Sequence, residues 1–148
     1  MKPLQSPQKK KILDQLGSQF GITELPYLLL QFGKEKIRLY SGDLSKEELM
    51  FLDKNLRVEN IGLYFASHTN TDDLRLTLDG TQLFKKQISQ NILDIDDRQA
   101  DFWLRGNDLD IKTDSNFKII RDNDELLGCG KSTGDRITNL IPKERRIK

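Results

Sequence analysis

Six basic side chains crowd the stretch 128–148: Lys131, Arg136, Lys143, Arg145, Arg146 and Lys148, against only Asp135 and Glu144. That stretch carries +4, while the whole 148-residue chain carries +1. Such residues hold polyanions, because each ammonium or guanidinium that meets a phosphate releases a condensed counterion. Arginine adds a planar fork that grips a phosphate or stacks on a base. Gly128, Gly130 and Gly134 stand among them. Lacking a Cβ, they let a ligand come close to the backbone. The chemistry these residues offer is binding of a nucleic acid, with an ordinary solvated basic tail as the plain alternative.

Other chemistry finds less support. The tetrapeptide GKST at 130–133 matches the end of a phosphate-binding P-loop. The full motif needs a glycine five residues earlier, between a strand and a helix. Glu125 fills that place and would repel phosphate, and Thr133-Gly134-Asp135 starts no helix, so the match is fortuitous. The single histidine, His68, lies in a polar stretch and reads as an exposed turn residue, since no G-x-S-x-G elbow supplies a nucleophile for it. Cys129 has no local base and reads as a small buried packing residue. One cysteine and one histidine cannot assemble a structural zinc site or a disulfide framework. Asp94, Asp96, Asp97 and Asp101 lack the spacing and central glycine of a calcium loop. No catalytic residue, metal or cofactor is expected.

The bulk composition is that of a globular chain, with 36% hydrophobic and 32% charged residues. Its longest apolar stretch, 25–30, contains Pro26 and is far too short to cross a bilayer. Lys2, Lys9, Lys10 and Lys11 precede an amphipathic pattern and not a secretory apolar run, so a cytoplasmic location is the expectation. With basic ends of +4 each, the middle of the chain carries −7. Such a chain can focus its field on one face if the ends meet in space.

The elements that must position these groups follow from periodicity. Ser6-Pro7 starts a helix whose apolar stripe is Ile12, Leu13, Leu16 and Phe20, and Gly21 ends it. Two β-like runs, 25–32 and 36–40, flank the turn at Gly33-Lys34-Glu35 and predict a hairpin. Ser45 and Glu48 form a capping box for a helix over 46–55, whose Leu49, Met50 and Leu52 should face the core. The run 58–66, a polar turn and the alternating 74–78 predict a second strand pair. Residues 84–97 read as a connector. Asp96 or Asp97 should cap a helix over 98–105, stopping at Gly106. Strands at 109–111, at 117–121 and from 126 onward should then build a compact module. Trp103 is expected in its core. The fold class is α+β: an N-terminal α/β domain (α-β-β-α-β-β) over 1–83, a connector over 84–97 and a β-barrel-like module over 98–148.

That module carries a family likeness. FWLRGNDLDI and ELLGCGKSTGDRITNLIPKERR resemble the PUA-type RNA-binding domain of the Nol/Nop/Sun RNA cytosine-5 methyltransferases. Trp103, Arg105, Gly106 and Asp108 match its opening, Leu127, Gly128, Gly130 and Lys131 its middle, and Arg136, Asn139, Pro142 and Lys143 its close. KPL near the start and IGLYFASHTNTDDLRLTL are similar to the N-terminal domain of the Nip-seven ribosome-biogenesis factors, where such a domain and a PUA module stand without an enzyme. The resemblance implies a PUA-like barrel, RNA as partner, and a role in ribosomal RNA processing or large-subunit assembly. The module is shorter than a typical PUA domain. The chain also lacks a glycine-rich S-adenosylmethionine loop and the P-C and T-C cysteines, so methyl transfer is not expected of it. Arg105, Lys131, Arg136, Lys143, Arg145 and Arg146 are the expected RNA contacts. The rival expectation is an interaction adaptor, or an accessory acting in trans with an RNA-modifying enzyme.

Overall fold

The computed structural model describes residues 1–55 and 61–148. Helix α1 (Ser6–Phe20) has Pro7 in its first turn and ends at Gly21, whose φ of 82° is the left-handed stop that glycine adopts without strain. It turns Ile12, Leu16 and Phe20 inward onto a five-stranded antiparallel sheet. The strands β1 (Lys2–Pro3), β2 (Leu28–Phe32), β3 (Lys36–Tyr40), β4 (Leu63–His68) and β5 (Leu74–Leu76) lie in that order. The β2–β3 hairpin pairs Phe32 with Lys36 and turns at Gly33-Lys34-Glu35, as its sequence predicts. Helix α2 (Lys46–Asn55) uses the expected capping box: Glu48 N donates to Ser45 Oγ at 3.1 Å, and Ser45 N to Glu48 Oε1 at 3.3 Å. Its core face is narrower than expected. Leu49 is fully buried, whereas Met50 is 55% exposed. The run expected over 58–66 begins outside the described residues, and its described part enters β4 at Leu63.

The strand expected to reach Leu78 ends at Leu76. Thr77 stops it: its Oγ1 accepts from Gly80 N at 2.9 Å and donates to the Tyr64 carbonyl at 2.9 Å, which starts α3 (Leu78–Leu83). A threonine whose hydroxyl can cap a helix offers the backbone an alternative to the strand ladder. The connector residues 84–97 are also more ordered than their polarity indicates. Phe84 and Ile88 are buried, and β6 (Ile92–Asp94) pairs in parallel with β7 (Phe117–Asp122).

The second sheet runs β6-β7-β8-β9, with β8 (Glu125–Ser132) and β9 (Ile137–Asn139) antiparallel to their neighbours. Leu109 bridges Ile137 beyond its edge, and among the described residues the pairing does not close into a ring. Both faces of this sheet are covered, which is why burial runs without alternation through Phe117–Ile120 of β7 and Leu126–Gly130 of β8. On one face Phe117, Ile119, Leu126 and Cys129 join the core formed by α1 and the first sheet. On the other, Ile120, Leu127 and Ile137 pack with Ala100 and Trp103 of α4 (Asp97–Leu104). Asp96 caps α4, accepting from Gln99 N at 2.7 Å. A 3₁₀ turn at Lys143–Arg145 follows. Among the described residues no helix is long and apolar enough to cross a membrane.

Candidate nucleic-acid interface

Lys131 sits where the two sheets meet. Gly128 has φ 94° and shifts the side-chain alternation of β8, so that Cys129 and Lys131 turn toward the first sheet while Gly130 turns toward Trp103. Lys131 pairs in register with Phe117 on one side and Thr138 on the other. Its ammonium lies 4.7 Å from the centroid of the Phe117 ring, a cation–π contact that holds the charge without neutralising it. Across a groove of about 360 Å³ stand His68 and Arg75 of the first sheet, Asn70 from the β4–β5 turn and Glu35 from the β2–β3 turn. Arg75 is the outward member of Leu74-Arg75-Leu76, whose two leucines are buried. Neither Lys131 nor Arg75 has a carboxylate partner among the described residues. Arg75 went unremarked in the sequence. Its only signal is that alternation places it opposite the leucines.

The other five expected contacts lie elsewhere, and four of them are engaged. Arg105 Nε is 3.1 Å from Asp101 Oδ2, one turn back on α4. Arg136 lies 3.5 Å from Asp110 and 3.9 Å from Asp108. Arg145 reaches Asp79 of α3 at 3.2 Å. Arg146 donates from Nε to the Ile141 carbonyl at 2.9 Å, and its side chain crosses Gly106, where a Cβ would collide with it. Lys143 is exposed in the 3₁₀ turn. The structure thus brings Arg105 and Arg146 to one corner, places Arg136 at the Asp108–Asp110 loop and Arg145 on α3, and sets Lys131 apart in the groove. The paired side chains are about half exposed, so each ion pair contributes about 0–1 kcal/mol and is exchangeable for a phosphate.

Several residues of the family-like pattern do structural work. Asn139 Nδ2 donates to the carbonyls of Trp103 at 2.7 Å and Asn107 at 3.0 Å, while its Oδ1 accepts from Ile141 N at 2.9 Å. Asp108 Oδ1 accepts from Asn139 N at 2.8 Å. Trp103 is fully buried, with Nε1 donating to the Leu127 carbonyl at 2.8 Å. Gly130, expected to admit a ligand, instead admits the Trp103 ring: a Cβ there would lie 2.7 Å from Trp103 Cη2.

The GKS of the P-loop-like stretch lies inside β8, and a turn leading to β9 follows it where a nucleotide site needs a helix. Burial pushes the Cys129 thiol up to about 12, far from a reactive thiolate. His68, expected as an exposed turn residue, is the last residue of β4 and half-buried. Burial, then the Lys11 ammonium, push its imidazole below the ordinary histidine value. The four carboxylates considered for a cation serve elsewhere. Asp94 pairs bidentately with Arg121 at 2.6 and 2.9 Å, Asp96 caps α4, and Asp101 holds Arg105. Asp97 stands beside Asp122, whose carboxyl is pushed up first by burial and then by this acidic neighbour. Among the described residues no group of three or more His, Cys, Asp or Glu side chains is placed to hold a metal ion.

Comparison with known proteins supports the family likeness of the second half. Residues 90–147 match the family described as Methyltransferase RsmF PUA domain. The chain is 24% identical over 145 residues to the ribosomal RNA small subunit methyltransferase F of Aeromonas salmonicida (strain A449). That similarity takes in 96% of this chain but spans only 29% of the relative's length. The fold is similar to the crystal structure of a hypothetical protein from the hyperthermophilic archaeon Pyrococcus horikoshii OT3, with a TM-score of 0.54 at 14% identity, over 99% of this chain and 88% of that one.

Proposed function

We propose that this chain is a non-catalytic RNA-binding unit whose partner is ribosomal RNA, in ribosome biogenesis or rRNA processing. The observation that carries this reading is the pair Arg75 and Lys131, two cations without a carboxylate partner among the described residues, which face one groove between the sheets where Glu35 is the single carboxylate among the described lining residues. A polyanion entering there gains charge pairing without displacing an internal partner. Arg105, Arg136, Lys143, Arg145 and Arg146 form an outer set; four of these five exchange an existing contact for a phosphate and so contribute less. In this reading residues 1–83 and 98–148 are two walls of one site, joined by 84–97. The similar Aeromonas protein is named for small-subunit ribosomal RNA. That moves the first choice of RNA from the large subunit to the small one. The buried, unreactive Cys129 supports the non-catalytic part.

The test is a filter-binding titration with small-subunit ribosomal RNA over a range of salt. Arg75→Gln with Lys131→Gln should weaken binding and flatten the slope of log K against log salt by about 1.4–1.8, the equivalent of two phosphates. An unchanged slope, or no binding by the unaltered protein, removes the reading.

A second reading, an adaptor for an RNA-modifying enzyme such as a cytosine-5 methyltransferase, is favoured by one surface. Phe51 is 66% exposed and Met50 55% on α2. Large apolar groups side by side in water mark contact surfaces. An adaptor keeps its partner in a pull-down from RNase-treated lysate and loses it on Phe51→Asp, whereas an RNA tether is cut by the RNase.

A further inference from the structure

A second groove, of about 370 Å³, opens between α1 and the β2–β3 hairpin. Three elements each send a lysine to its rim: Lys2 from β1, Lys11 from α1 and Lys34 from the hairpin turn. All three are exposed, and none is ion-paired among the described residues. Lys9, by contrast, is turned away and donates to the Tyr27 carbonyl at 2.6 Å. Asp72 is the one carboxylate in the lining. The floor is made of Leu4, Ile12 and Leu74, with the amides of Gln8, Gln15 and Gln31 around it. His68 lines this groove and also the Arg75–Lys131 groove, so the two depressions adjoin at one side chain.

We propose that a single strand of RNA runs from the Arg75–Lys131 groove past His68 into this second groove, where Lys2, Lys11 and Lys34 receive its phosphates and the floor receives an unstacked base or ribose. The inference rests on the RNA-binding reading and extends it to the N-terminal half. A cationic rim around an apolar floor with amide edges is the combination that sequence-tolerant single-strand sites use. An A-form duplex keeps its bases stacked and offers no free base to a concave floor. The His68 imidazole, held uncharged by its burial and by Lys11, is at neutral pH a hydrogen-bonding group between two cationic stretches.

The experiment uses the full chain and a labelled 20-nucleotide oligouridylate, with a duplex RNA of equal length as the second probe. Lys11→Gln with Lys34→Gln should flatten the salt slope by about 1.4, two contacts at the value for single strands. Lys11→Arg with Lys34→Arg should keep the slope, and circular dichroism of both variants should match the parent. If the glutamine variant leaves the slope unchanged while Arg75→Gln with Lys131→Gln lowers it, this inference falls and the RNA-binding reading stands. If neither pair of substitutions changes the slope, both fall. Tighter binding of the duplex than of the oligouridylate overturns the single-strand assignment.

Discussion

The Asn139 side-chain amide donates to the carbonyl of Trp103 at 2.7 Å, and so ties β9 to the last turn of α4. The same side chain donates to the carbonyl of the exposed Asn107 and accepts from Ile141 N, which is buried. Asn139→Ala leaves Ile141 N without a bond and takes one of two bonds from the Trp103 carbonyl, which still accepts from Gly106 N at 2.9 Å. A buried donor left unpaired costs about 1–3 kcal/mol and each further lost bond about 0.5–1.5 kcal/mol, so a total of roughly 3 kcal/mol is expected. At about 2–4 °C per kcal/mol for a chain of this size, the melting temperature should fall by roughly 6–12 °C. Thermal unfolding followed by the fluorescence of Trp103, the single tryptophan, measures it directly. A shift within the error of the parent would mean that the asparagine is not a latch.

Gly130→Ala adds a methyl 2.6 Å from Ile137 Cγ2 and 2.7 Å from Trp103 Cη2. Neither group is the free end of a flexible chain, so the sheet and α4 must part. The expected cost is about 1–3 kcal/mol, as for other overpacked cores. RNA affinity should be unchanged at temperatures where the variant is folded, because Gly130 faces the core. Lost affinity in a fully folded variant would return this glycine to the binding surface.

Arg145→Ala with Arg146→Ala should flatten the salt slope by less than two phosphate equivalents, since each phosphate contact there replaces an internal one. Arg75→Gln with Lys131→Gln should flatten it more. Side-by-side titrations against one RNA give the order. The reverse order would shift the site to the 3₁₀ turn.

Asp114 is held down to about 2 from its ordinary 3.8, first by the Lys118 ammonium that donates to it at 2.9 Å and then by Thr113. A carboxyl that titrates lower in the folded chain than in the unfolded one stabilises the fold fully above about pH 4, and that contribution disappears as pH falls through about 2. Asp114→Asn should therefore destabilise the protein at pH 5 and make its stability less steep between pH 4 and 2. Chemical denaturation at four pH values in that interval and above it would show parallel curves if the contact contributes nothing.

Cys129 should resist a thiol reagent at pH 8 in the native protein and react once the chain is unfolded in guanidinium. Rapid labelling without unfolding would reopen β8 as an accessible strand.

Much of the local structure was legible in residue order because local physics decides it. The Ser45–Glu48 box, the Asp96 cap, Gly21 and the Gly33-Lys34-Glu35 turn each act within four residues, and each element they mark is present. The α+β class and the second sheet followed from the same periodicities. Strand β6 was not legible, because a parallel strand pairs with a segment more than twenty residues away and three residues carry no period of their own. Nor was α3, where the hydroxyl of Thr77 outcompetes the leucine alternation.

Residue order also determined that cations gather near both ends of the chain and that nothing in the last stretch builds a nucleotide site. Which of those cations keep their charge available was decided only in three dimensions. Asp79, Asp101, Asp108 and Asp110, three of them 26 or more positions from the arginine they meet, come within 4 Å of arginines expected as RNA contacts. Arg75 and Lys131, 56 positions apart, come to face one groove because the bulge at Gly128 turns β8 over and the two sheets share a core. Charge is written in the chain; its pairing depends on distances that only packing sets.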